Sequence, residues 1–71
     1  MKEDILKCVS ENLRLARFKK RYTQEYVAEK ADTSQRYLSK VELAQANPSI
    51  VVFVNICRAL EVDPAAILKF N

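Results

Sequence analysis

Between Thr23 and Glu42 the sequence runs TQEYVAEKADTSQRYLSKVE, two short stretches of helical patterning with room for no more than a turn between them. Val27 and Ala31 share one face of the first stretch, and Leu38 and Val41 share one face of the second. Thr23 can cap a helix that runs through Ala31, and Thr33 or Ser34 supplies the capping oxygen for the next. Two helices joined by three or four residues must cross steeply, which requires a small side chain where their axes approach. Ala28 meets that requirement, and Leu38 plugs the core from the other helix, flanked by Val27, Ala31 and Val41. The turn also needs a residue near the left-handed region, where Asp32 is tolerated better than most non-glycine residues.

The rest of the chain reads as three more helices. From about Asp4 to Lys20, the apolar residues Ile5, Leu6, Val9, Leu13 and Ala16 recur at three- and four-residue steps. The tripeptide NPS at 47–49 breaks the chain, and Ser49 opens a helix through Leu60 whose IVVFVNI start is apolar almost all round. Asp63 and Pro64, a capping residue followed by a proline at the first helical position, start the last helix, which leads into AAILKF. No stretch shows period-two alternation. These patterns predict an all-α, five-helix fold in one domain, residues 1–71.

A chain of 71 residues buries only about 60% of the surface that its unfolded form exposes, which leaves little for a deep, walled active site. Phe53, Ile56, Cys57 and Leu60 suffice to turn the fourth helix to the core, with Val62, Ile67 and Leu68 closing it from below. Ile50, Val51, Val52, Pro64, Ala65 and Phe70 are then left over, and exposed apolar surface of that kind usually has a partner.

Lysine and arginine number 12 against 9 acidic residues, net +3, which favours a polyanionic partner. The excess is concentrated in residues 1–22, with seven basic and three acidic side chains, most of it in RLARFKKR at 14–21. There is no histidine, and Cys8 and Cys57 lie far apart in sequence. No zinc-ligand spacing and no Cys/His catalytic pair can therefore be written. Both cysteines read as reduced core or near-core residues. Without a glycine-rich phosphate loop or clustered carboxylates, the chain is expected to be no enzyme and to use no metal or cofactor. The absence of a signal peptide, an apolar 18-mer or a lipidation motif predicts a cytoplasmic protein that engages no membrane. With no second domain expected, no small-molecule ligand is expected either.

Steeply crossed helices of this kind push the second helix out as a rigid rod that fits the major groove of B-DNA. TQEYVAEKADTSQRYLSKVE, then NPS, then ALEVDP near the end, together resemble the Cro and phage-repressor helix-turn-helix family, the XRE type, over roughly residues 9–68. The resemblance implies a sequence-specific regulator of transcription that binds double-stranded DNA as a homodimer on a palindromic operator, with a recognition helix at about 34–43. Small members of the family also include controller proteins of restriction-modification systems and antitoxins, so a protein-interaction module with secondary DNA binding is the alternative.

The resemblance also implies roles for individual residues. Gln35, Arg36, Ser39 and Lys40 match base-reading positions. Glutamine can pair with adenine N6 and N7, and arginine or lysine with guanine O6 and N7. Gln24 matches a phosphate contact and Thr23 a cap that can add one; in the loop after helix 3, LAQAN departs from the basic residues that relatives carry there, and either Asn47 or the loop's backbone N–H groups replace that contact. Tyr37 has two readings, a ring packed inward or a hydroxyl offered to phosphate. Arg17 and Glu42 match a structural clamp between helices 1 and 3. Family dimers pack through helices 4 and 5, where the surplus apolar residues lie, and a symmetric dimer sets its reading helices about 34 Å apart. Lys19, Lys20 and Arg21 serve either the dipole at the end of helix 1 or general attraction to DNA. The chain has no glycine at all. The family's usual glycines fall at Arg21, Asp32 and Ala44, so left-handed backbone there implies strain at Arg21 and Ala44.

Overall fold

A computed structural model describes the backbone of residues 2–69 and the side chains of residues 4–69. These residues form five helices and no strand: α1 Lys2–Lys20, α2 Gln24–Lys30, α3 Gln35–Glu42, α4 Ile50–Leu60 and α5 Pro64–Ile67. Each helix after the first starts on a side-chain oxygen that accepts a free N–H of its first turn. Thr23 Oγ1 accepts from the Tyr26 N–H at 3.0 Å, Ser34 Oγ from Tyr37 at 3.0 Å, Ser49 Oγ from Val52 at 3.2 Å and Asp63 Oδ1 from Ala65 at 2.9 Å. Of the two candidate caps for α3, it is Ser34 that serves. Helix α5 is shorter than the AAILKF run suggested: it ends at Ile67, whose carbonyl accepts the Asn12 side-chain amide of α1 at 2.9 Å.

The four longer helices end in one way. Past α1, the Arg21 N–H bonds the Phe18 carbonyl (3.0 Å) and the Tyr22 N–H bonds the Arg17 carbonyl (3.2 Å). The same two bonds recur at Asp32 and Thr33 after α2, at Ala44 and Gln45 after α3, and at Glu61 and Val62 after α4. Arg21, Asp32, Ala44 and Glu61 have φ of 62, 59, 58 and 60°. This is the left-handed closing motif in which glycine usually sits, and it satisfies two otherwise orphaned carbonyls at each end. A side chain there costs on the order of 1–2 kcal/mol. Three of the positions were foreseeable from the missing glycines; Glu61 carries no such signal in the sequence.

The core lies where α2, α3 and α4 meet under α1. Leu13, Val27, Leu38, Val41, Ile56, Cys57 and Leu60 are almost wholly buried, and Ala28 and Ala31 give the close approach that the steep crossing needs. Three expectations are corrected. Ile5 is 48% exposed rather than part of the inner stripe of α1, because it lies on the rim of an open groove between α1, α4 and α5 that nothing in the described chain fills. Leu68 is 49% exposed, since it falls past the end of α5 while Ile67 turns inward. Val52, counted as surplus, packs partly on the core one helical turn before the fully buried Ile56. Phe70 lies outside the described residues.

Burial pushes the Cys57 thiol up from 9.0 to about 11, with a smaller contribution from the Asp63 carboxylate. The folded chain holds this proton while the unfolded chain releases it above its ordinary value, so rising pH favours unfolding. The stabilisation is complete below about pH 8.5 and is lost as the pH climbs toward 11. The stability advantage of the wild type over Cys57→Ala, measured by urea unfolding, should therefore shrink from pH 7.5 to pH 10.5; a constant difference contradicts the assignment. Replacing the left-handed alanine, Ala44→Gly, should stabilise by about 1 kcal/mol and raise Tm by roughly 4–8 °C, readable by circular dichroism.

Candidate nucleic-acid interface

Helix α3 is amphipathic, and its inner face is fixed by Leu38, Val41 and Glu42. A buried carboxylate on that face needs charged or polar donors to offset its desolvation. Glu42 receives three. Arg17 Nε donates to Oε2 at 2.7 Å, Arg17 Nη2 donates to Oε1 at 3.0 Å, and Gln24 Nε2 donates to Oε1 at 3.0 Å. The Arg17 and Glu42 side chains are only 11% and 3% exposed, so solvent screens the pair little. Arg17 Nη1 donates onward to the Tyr22 carbonyl at 3.0 Å, and the guanidinium lies 4.8 Å from the centre of the Phe18 ring. A single arginine thus joins the end of α1, the turn before α2 and the last residue of α3.

With its inner face pinned, α3 presents the other. Gln35, Arg36 and Lys40 are exposed and Ser39 is half-buried, and among the described residues no side-chain hydrogen bond or ion pair engages them. Tyr37 is half-buried, with its ring against the core. Thr23 and Gln24 sit together at the start of α2, Thr23 as the cap and Gln24 bonded to Glu42. Asn47 is set apart from them. It is exposed in the loop after α3 and borders an apolar groove of about 860 Å³ between the first turns of α1, the start of α4 and α5. Ile50 and Pro64 line that groove, as do Ile5 and Leu68, the two residues that the core leaves out. Ile50 and Val51 are 78% and 65% exposed, Ala65 is exposed and Pro64 half-buried.

Two groupings were not legible in the sequence. The Gln24 bond to Glu42 is one, because nothing in the spacing ties the start of α2 to the end of α3. The other lies on the far side of α2, where the Tyr22 hydroxyl donates to Glu61 Oε1 at 2.9 Å and Lys20 Nζ lies 3.7 Å from the same oxygen. That hydrogen bond raises the Tyr22 hydroxyl above its ordinary 10.0. The Tyr26 ring lies against Tyr22 with ring centres 4.6 Å apart and the planes tilted by 48°. Among the described residues there is no cluster of metal ligands, and no helix is long and apolar enough to cross a membrane.

A pinned α3 with an unengaged polar face, set across a short α2, is the geometry of a groove-reading helix. A family model described as helix-turn-helix matches residues 13–67, most of the chain. The chain belongs to the XRE-type helix-turn-helix family of DNA-binding transcription regulators. This XRE-type chain is 36% identical over 60 residues to the uncharacterized HTH-type transcriptional regulator y4dJ of Sinorhizobium fredii, an alignment covering 84% of this chain and 78% of the relative. Among solved structures it is similar to the restriction-modification controller protein C.AhdI from Aeromonas hydrophila (TM-score 0.84, 29% identity, 87% of this chain and 94% of that one). It is also similar to the clp gene regulator ClgR from C. glutamicum (TM-score 0.86, 28% identity, 90% and 83%).

Removing one partner of the buried pair strands the other charge, whereas replacing both with apolar side chains strands neither. Arg17→Ala should therefore destabilise this XRE-type chain by about 3–5 kcal/mol, and the double variant Arg17→Met, Glu42→Leu should lose less than either single truncation. Chemical denaturation of the set checks this, and unchanged unfolding of Arg17→Ala contradicts the clamp.

Proposed function

We propose that the chain, one domain over residues 1–71, works in the cytoplasm as a homodimer on a palindromic operator in double-stranded DNA. The recognition helix, about 34–43, enters the major groove. The carrying observation is the exposed, unengaged face of α3 on a helix whose opposite face is held by a buried ion pair. Gln35, Arg36, Ser39 and Lys40 contact base edges, each good bidentate contact supplying roughly 1–3 kcal/mol of discrimination. Thr23, Gln24, Tyr37 and Asn47 contact phosphates, which sets register without reading sequence. The ring of Tyr37 packs inward while its hydroxyl serves the backbone, so the two readings of that residue combine.

The dimer forms through the apolar surface of α4 and α5. Ile50, Val51, Pro64, Ala65 and Phe70 belong to it, and the groove adds Ile5 and Leu68 from α1 and the end of α5. A two-fold interface is self-complementary, so one apolar patch covers another without any further partner. No cofactor or small-molecule ligand is needed, and the chain's concentration against its dimerisation constant sets operator occupancy. The same groove supports a second reading, an antitoxin or interaction module whose apolar patch a different protein covers.

Selection of bound sites from a random duplex library at fixed salt, run beside the Arg36→Ala, Lys40→Ala double variant, tests the proposal. Wild-type protein should enrich one palindrome with half-site centres about one DNA turn apart, and the double variant should enrich nothing. Weak, salt-sensitive binding without enrichment by either protein contradicts the operator reading and favours the interaction module.

A further inference from the structure

Gln24 and Glu42 belong to different helices and have no local reason to meet, yet the Gln24 amide nitrogen lies 3.0 Å from Glu42 Oε1. An ionised carboxylate can only accept, so the side-chain amide must turn its nitrogen, not its oxygen, toward Glu42. That nitrogen carries two N–H groups about 120° apart. One is spent on Glu42, and the other is directed away from it. The same Glu42 oxygen also accepts from Arg17 Nη2 at 3.0 Å, while Arg17 Nε holds the second oxygen at 2.7 Å. The carboxylate is thus fixed in position before Gln24 reaches it, and its charge is offset by the guanidinium.

We infer that Glu42 is a positioning residue for the contact with the DNA backbone: anchored by Arg17, it holds the Gln24 amide so that its second N–H is preset for a phosphate oxygen. This rests on the reading of Gln24 as a phosphate contact given above. Three features support it. A free glutamine side chain has three rotatable bonds to order on binding, and prior fixation removes that cost from the binding step. A hydrogen bond to a charged acceptor is also stronger than one to a neutral group, so the amide is held more firmly than by a second amide. Finally, the guanidinium keeps the network neutral overall, so that the holding carboxylate does not repel the phosphate it serves. The buried clamp therefore has two outputs, the placement of α3 and the aim of a side chain on α2.

The test is a double-variant cycle on affinity for the duplex enriched in the selection, at fixed salt and at a temperature where every variant is folded by circular dichroism. Gln24→Ala should weaken binding of the wild type by about tenfold, one charge-assisted hydrogen bond, measured where the variant, which also loses a donor to the buried Glu42 carboxylate, is still fully folded. Glu42→Asp keeps the charge for Arg17 but draws the carboxylate back by one methylene. In that background Gln24→Ala should cost only about twofold, because the amide is already released. Glu42→Gln repeats the cycle without the charge. In the free protein, the two side-chain amide protons of Gln24 should give well-separated NMR signals that draw together in both Glu42 variants, which reports release of the amide; the smaller cost of Gln24→Ala in those backgrounds is the readout that a purely structural role for Glu42 would not produce. An equal tenfold loss in all backgrounds, with unmoved amide signals, overturns the inference while leaving the operator reading intact. No loss on Gln24→Ala in the wild type overturns both the inference and the phosphate contact.

Discussion

The buried pair between Arg17 and Glu42 is the constraint on which the rest of the molecule turns. A core this small closes α3 on one side only, with Leu38, Val41 and part of Tyr37, and non-directional apolar contacts set the rotation of an eight-residue helix about its own axis only loosely. A carboxylate at the end of that helix, held bidentately from α1, does. Bidentate geometry matters because an arginine fork admits one approach to a carboxylate, whereas a lysine point charge admits many. The pair contributes less to net stability than its short distances suggest, since desolvation offsets much of the Coulomb attraction. What it contributes is a single orientation, and a helix proposed to read base edges needs that more than it needs extra stability.

The second constraint is the closing of each helix. Four consecutive helix ends use the same pair of backbone hydrogen bonds, and none has a glycine to make the left-handed residue easy. Short loops leave no alternative: to reverse direction between α2 and α3 the chain must satisfy the last carbonyls of α2 at once. The motif does so at the expense of steric strain at Arg21, Ala44 and Glu61, and least at Asp32, whose short polar side chain suits that region. The compact core offsets this strain, and α3 is held between two helix ends closed by the same backbone bonds.

Much of this was legible in the sequence because small helical domains announce themselves locally. Capping residues at Thr23, Ser34, Ser49 and Asp63 and three- and four-residue apolar steps mark each helix start and inner face. Ala28 marks the steep crossing. The misreadings come from the ends of elements, where local pattern stops governing. Ile5 and Leu68 have the right apolar character for a core but line an open groove that no side chain of the described residues fills, and α5 ends at Ile67, whose carbonyl accepts from Asn12. The bond from Gln24 to Glu42 and the cluster of Tyr22, Tyr26 and Glu61 depend on how helices distant in sequence are set together, and no spacing rule along the chain encodes that.

Dimethyl sulfate footprinting of the bound duplex tests directly whether α3 lies in the major groove, since the reagent attacks guanine N7 in the major groove and adenine N3 in the minor groove. Protection of guanine N7 within the bound site, with adenine N3 left reactive there and the N7 protection lost in Arg36→Ala, is the predicted result. Full reactivity at guanine N7 in a saturated complex, or protection confined to adenine N3, would contradict it.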